Sequence, residues 1–209
     1  MKMKIPISLF ACLCIAANSY GQGTVNFTFD GPPLPPPGTG YVATNYFESG
    51  MWFRPIGSIG SRDFLRNGGG VSGSPENGTA YLQAAFTESL MFSPTNGSLF
   101  GVFSVDLAEY SIGFQNPLTV SFFGYRFDGS VVTTNFTTDG IIDGTGPIND
   151  FQTFYFGSEF NNLSRVEIPT SLWSLDNLTV AVPEPSTFAL LLTSGVLFAA
   201  FRFRKRKLP

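Results

Sequence analysis

The chain has 209 residues, 23 of them phenylalanine, and a formal charge of −3 from twelve basic and fifteen acidic side chains. It has no histidine and two cysteines, Cys12 and Cys14. Without histidine no Ser-His-Asp or Cys-His nucleophile can be assembled, and imidazole-based zinc sites are excluded as well.

The first 21 residues read as a secretory signal. Lys2 and Lys4 give a positive start, residues 5–17 form an apolar segment of the right length, and small residues follow. Cleavage is expected after Gly21, leaving Gln22 as the new N-terminus. Both cysteines lie inside the apolar segment, so the exported part, residues 22–181, has none. It must then be stabilised by core burial or by a bound ion rather than by disulfides.

About 160 residues are enough for one domain with a proper core. All four lysines lie outside this part, which holds five arginines (Arg54, Arg62, Arg66, Arg126, Arg165) against fourteen carboxylates, a balance of −9. Such a surface repels phosphate, so nucleic acid is excluded as a partner. It favours solubility and leaves oxygen ligands free for calcium.

Long helical windows are missing, and short alternating apolar runs lie between turn residues, which predicts an all-β fold. Residues 24–30 form a first strand with Val25, Phe27 and Phe29 inward. Residues 31–40, rich in proline and glycine, form an extended loop. Residues 41–47 and 50–54 pair around Glu48-Ser49-Gly50, and residues 66–78 form a glycine-rich loop. Strands follow at 81–85, 90–92 and 99–106. Residues 117–127 and 130–136 form a hairpin about Asp128-Gly129, a dipeptide that suits a turn with both positions at positive φ. Residues 139–150 form a loop carrying Asp139, Asp143 and Asp150. Strands at 151–156, 164–168 and 174–180 complete a set of nine to eleven. That number predicts a two-sheet β-sandwich of jelly-roll type.

Only carboxylate chemistry remains for catalysis, as in glycoside hydrolysis by two acids facing one cleft. Asp106 and Glu109 are the best local pair, against the plainer reading that both are solvated loop acids. The domain begins Asn26-Phe-Thr-Phe-Asp30-Gly31 and ends Ser174-Leu-Asp176-Asn177. This resembles carbohydrate-binding jelly rolls in which a structural calcium ties the first strand to the last, and the resemblance implies Asp30 and Asp176 as ligands. The plainer reading makes Asp30 a turn residue and Asp176 a hydrogen-bonding acid. Trp52, Trp173 and Tyr125, with Tyr110 and Tyr155, are candidates for stacking on sugar rings, though a sandwich this rich in phenylalanine also needs aromatics inside. Six Asn-X-Ser/Thr triplets fit Asn- and Thr-rich strands and turns and receive no function.

The last 28 residues are a composite. Val182-Pro183-Glu184-Pro185-Ser186-Thr187 is held extended by its prolines. Residues 188–201 are almost wholly apolar and predict a transmembrane helix, which with flanking residues and snorkelling arginines approaches a bilayer span. Arg202, Arg204, Lys205, Arg206 and Lys207 then hold that end in the cytoplasm, so the domain faces out. The three features in this order resemble a PEP-CTERM sorting signal, with Val182 to Ser186 as the motif and residues 202–209 as the basic tail. The resemblance implies an exosortase as partner, beside the export machinery, in a Gram-negative-type bacterium that makes extracellular polysaccharide. It also implies a precursor anchored in the inner membrane before it reaches the cell surface or matrix. The expected function is that of a non-catalytic, polysaccharide-associated sandwich, with a carboxylate-dependent glycoside-active enzyme as the alternative.

Overall fold

The structure is a computed structural model that describes residues 22–30, 40–41, 46–56, 65–67, 73–84, 89–142 and 150–183. The signal segment, residues 184–187 of the sorting motif, the predicted membrane helix 188–201 and the basic tail lie outside the described residues. Residues 24–182 form one compact unit. No helix among the described residues is long and apolar enough to cross a membrane.

Among the described residues thirteen strands follow in chain order: β1 Gln22–Phe27, β2 Gly40–Tyr41, β3 Tyr46–Glu48, β4 Met51–Pro55, β5 Leu65–Asn67, β6 Ala80–Gln83, β7 Leu90–Pro94, β8 Gly101–Glu109, β9 Thr119–Arg126, β10 Val131–Thr137, β11 Gln152–Tyr155, β12 Leu163–Ile168 and β13 Trp173–Pro183. One sheet has the order β11-β8-β13-β6-β5-β2, with β1 also pairing β13; we call it sheet A. Sheet B has the order β10-β9-β12-β7-β4-β3. Each strand pair whose register is defined is antiparallel. The all-β expectation and its two sheets therefore hold. The count exceeds the predicted nine to eleven because β2 and β3 stand where one strand, 41–47, was expected, and because β5 runs into the loop expected at 66–78. Leu65–Asn67 is the clearest case: three residues carry no period to read, yet they pair with β6 and β2.

The core between the sheets is built by period-2 alternation. Met51 and Phe53 on β4, Leu90 and Phe92 on β7, and Val120 and Phe122 on β9 point inward and are buried. Phenylalanines link into chains of ring contacts, most of them edge-to-face. Phe53 touches Phe27, Phe29 and Phe92 at 5.3, 5.2 and 5.7 Å between ring centroids. At the other side Phe156 meets Phe122, Phe136 and Phe160 at 5.0, 5.0 and 4.8 Å. Each such contact contributes about 0.5–1.5 kcal/mol beyond burial itself. The inward positions of Val25, Phe27 and Phe29 are as expected.

Both predicted hairpins form, but the turn with both positions at positive φ, expected at Asp128-Gly129, occurs at Ser49-Gly50 instead. The β3–β4 turn is the two-residue kind with both positions at positive φ, Ser49 at 45° and Gly50 at 83°. At the β9–β10 turn only Gly129 has positive φ, at 84°. There Arg126 N–H donates to the Ser130 carbonyl and Gly129 N–H to the Arg126 carbonyl, so three residues span the turn. The Asp128 carboxylate accepts from the Ser130 N–H and hydroxyl at 2.9 and 2.7 Å. Those bonds, the hydroxyl's first, hold its pKa below the ordinary value.

Candidate functional site

Alternation that buries Met51 and Phe53 turns Trp52 and Arg54 outward, and both are exposed. On β3 the same rule buries Tyr46 against the core and leaves Phe47 outside. Phe47 and Trp52 are direct cross-strand partners, 53 % and 38 % exposed, with ring centroids 5.1 Å apart. Trp52 in turn pairs with Ser93 on β7. On β12 inward Val166 and Ile168 set Arg165 and Glu167 outward, and Arg165 pairs with Tyr125 on β9. Val166 opposes Phe92 and Glu167 opposes Met91. Continuing that register by one residue sets Arg165 opposite Ser93.

The outcome is one row across sheet B: Tyr125, Arg165, Ser93, Trp52, Phe47. Aromatic rings stand at both ends, Phe47 and Trp52 tilted 55° to each other at one and Tyr125 at the other. The Arg165 guanidinium carbon lies 3.7 Å from the Tyr125 ring centroid, and its Nε donates to Glu167 Oε1 at 2.7 Å. The Tyr125 hydroxyl also bonds to Glu167, which is the main reason its pKa is raised. With strands about 4.8 Å apart, Tyr125 and Trp52 stand three spacings or about 14 Å from each other. Arg165 and small Ser93 stand between them. Two of the three expected platform residues, Trp52 and Tyr125, thus meet on one face.

Trp173 does not. It is fully buried, packs in the core and donates its Nε1–H to the Thr170 carbonyl at 2.7 Å. The physical reason is parity: β13 begins at Trp173, and inward Leu175 carries Trp173 inward with it. Of the lesser candidates, Tyr155 is exposed on β11 of sheet A and Tyr110 is partly covered against Phe114. Phe47 and Arg165 are the participants that the sequence reading missed, although both lie inside strands it expected, 41–47 and 164–168.

Asp106 and Glu109 do not share a cleft. The strand expected to stop near Asp106 continues to Glu109, and residues three apart on a strand point to opposite faces. Buried Glu109 closes one end of the sandwich, its Oε1 accepting from the Thr138 hydroxyl and from Gly140 N–H. Asp106 lies outside sheet A, accepting from Thr153 Oγ1 at 2.6 Å and Asn177 Nδ2 at 2.9 Å. Neither the plain solvated-loop picture nor a catalytic pair describes them.

The first and last strands do meet around the expected acids. Asp176 sits on β13 opposite Asp106, fully buried, and accepts from Asn77 Nδ2 at 2.6 Å, Thr79 Oγ1 at 2.9 Å and Asn177 N–H at 2.7 Å. Burial, helped by the nearby Asp30 charge, pushes its pKa up to about 7 in spite of those bonds. Asp30 accepts from Ala80 N–H at 3.0 Å. Asn177 adopts a positive φ of 46° at a bulge, which turns its side chain between Asp106 and Asn26. Among the described residues no group of three or more acidic, His or Cys side chains is placed to hold a metal ion. Two carboxylates and the amide oxygens of Asn26, Asn77 and Asn177 are the oxygen donors at hand. They suit calcium in kind, since it takes oxygen ligands only.

Residues 181–207 match the model of the PEP-CTERM protein-sorting motif. The chain carries a PEP-CTERM sorting tail. The PEP-CTERM match begins inside β13, where Ala181 still pairs with Gly101 of β8. A sorting motif of this kind marks an exported precursor. No curated protein sequence matches the chain. Among solved structures, a substituted family 29 carbohydrate-binding module complexed with mannohexaose superposes with a TM-score of 0.35 at 9 % identity, over 77 % of this chain and 92 % of that one. Another substituted module and a further structure of the same family give 0.36 and 0.33 at 9 % identity, over 77 % of this chain and 86 % and 89 % of theirs.

Proposed function

We propose that the exported domain is a non-catalytic polysaccharide-binding sandwich whose contact surface is the outer face of sheet B. The observation that carries this is the cross-strand row that sets the aromatic rings of Phe47–Trp52 and of Tyr125, beside Arg165, on one outward face about three strand spacings apart. Aromatic faces offer the flat apolar surface that the axial C–H face of a sugar ring needs. Aromatic rings three strands apart on one face suit a chain of several sugars lying across the strands. The sorting tail supports the same reading, because a precursor handed to an exosortase ends up at the envelope or in the extracellular matrix, where polysaccharide is the abundant polymer. Jelly-roll connectivity and a cell-surface destination in a Gram-negative-type host belong to this proposal too.

The proposal extends to one structural calcium held by Asp30 and Asp176. Its support is electrostatic: buried Asp176 feels the charge of exposed Asp30, and no basic side chain among the described residues is paired to either. A divalent ion there would relieve their repulsion and tie β13 to the segment after β1.

The test is retention of the full chain, solubilised in detergent, on a panel of immobilised polysaccharides. Trp52→Ala should weaken retention about tenfold, or about 1.4 kcal/mol. Stability should change by less than about 1 kcal/mol, the worth of one exposed cross-strand pair. If no polysaccharide is retained, or if Trp52→Ala binds as well as the parent, the sheet B face is not the contact surface.

A further inference from the structure

The charges on this same face define the class of polysaccharide, an inference that rests on the platform reading above. We propose that sheet B selects polysaccharides bearing carboxylate groups, of the uronic-acid type, and that Arg54 is the residue that meets the carboxylate.

Arg54 and Trp52 are both on the outward side of β4, two residues and so about 7 Å apart. Arg54 is exposed, and no ion pair or side-chain hydrogen bond engages it among the described residues. Its cross-strand neighbour is Met91, and beyond Met91 stands Glu167, whose Oε1 is already taken by Arg165. The charged side chains at outward strand positions of sheet B are therefore two arginines and one glutamate, with Arg54 the uncompensated one. Among the described residues Arg165 is held by Glu167 and Arg126 donates to the Glu159 carbonyl, whereas Arg54 has neither kind of partner.

A guanidinium offers a planar fork of donors that fits a carboxylate with two parallel bonds. Beside it, Trp52 and Phe47 offer the apolar surface for the ring that carries the carboxylate. A neutral glycan would use the same aromatics and gain little from a full positive charge. The negative balance of the domain does not cancel this. Asp106 and Asp176 oppose each other outside sheet A, a full sheet spacing of about 10 Å further away. Fields from exposed charges are screened over about 8 Å at physiological salt. A polyanion approaching sheet B meets Arg54 first, while the sheet A face turns it away.

The experiment compares the full chain, solubilised in detergent, on polygalacturonate and on a neutral mannan across a salt series. Polygalacturonate should bind at least tenfold tighter at low salt, with the advantage shrinking as salt rises. Arg54→Gln should remove about a tenfold increment from polygalacturonate binding and leave mannan unchanged. Arg54→Glu should reverse the preference. Trp52→Ala should weaken both. Equal binding of the two glycans with Arg54→Gln silent would overturn the charge selectivity and leave the platform standing. A loss of equal size on both glycans would overturn it as well, since Arg54 would then serve as a general hydrogen-bond donor. If neither glycan binds, both readings fall together.

Discussion

A carboxyl group sealed from water keeps its proton to higher pH, and Asp176, buried and facing Asp30 and Asp106, does so up to about pH 7. Its ordinary value near 3.8 describes the unfolded chain. Between those limits the folded protein binds the extra proton, so this group makes stability fall as pH rises from about 4 to about 7. Above that it is ionised in both states and contributes no slope. Each pH unit in the window is worth about 1.4 kcal/mol for one such group. Urea unfolding at pH 5 and pH 7 should show the decline in the parent, and Asp176→Asn should flatten it. Calcium at pH 7 should restore stability to the parent and leave Asp176→Asn unmoved, because only a ligand of the folded state stabilises by mass action. An unmoved parent would remove the calcium. Many other carboxylates here cap backbone N–H groups rather than pair with cations. Asp30 accepts from Ala80, Glu48 from Phe29, Asp139 from Ile141 and Asp150 from Glu76. In a lysine-free domain that is how acids become structural. Burial raises the Glu48 pKa, opposed by its bonds from Tyr46, Phe29 and Thr28.

The two hairpins show what a turn demands of its residues. Gly129 sits at φ 84° with open space where a Cβ would go. Gly129→Ala therefore meets no clash, and its cost is conformational, about 1–2 kcal/mol. Denaturant unfolding measures it directly; no loss would mean that the turn relaxes to another form. This hairpin's strands were legible from alternation, and so were the inward faces of β1, β4, β7 and β9. Its turn type was not, because Asp128 also serves a three-residue turn by accepting from Ser130, and the dipeptide alone cannot distinguish the two. The platform was half legible for a similar reason. Alternation shows that Trp52 and Tyr125 can face outward, but the alignment of β9, β12, β7 and β4 that sets them in one row depends on pairings between strands far apart in sequence. Trp173 was misassigned by a single residue at a strand end. Asp106 and Glu109 were misjudged because β8 runs past the point where its apolar pattern fades.

As a whole, the domain keeps its buried acid network outside sheet A and its aromatic row with two arginines outside sheet B. Its sorting tail adds a processing prediction. Intact mass of the protein recovered from envelope and medium of its host should show loss of residues up to about Gly21 and of everything after about Glu184. Retention of residues 188–209 would make the tail a plain anchor and overturn exosortase processing.

β13 lies between β8 and β6 and stays in the sheet as far as Pro183, the first proline of the sorting motif. Whatever is cut away beyond that point, the product would keep no dangling leash. Its new C-terminus would be the end of a strand already clamped in the sheet, offering almost nothing for an exopeptidase to grip. At the proposed destination, among secreted proteases, the severed end would be finished by the fold itself.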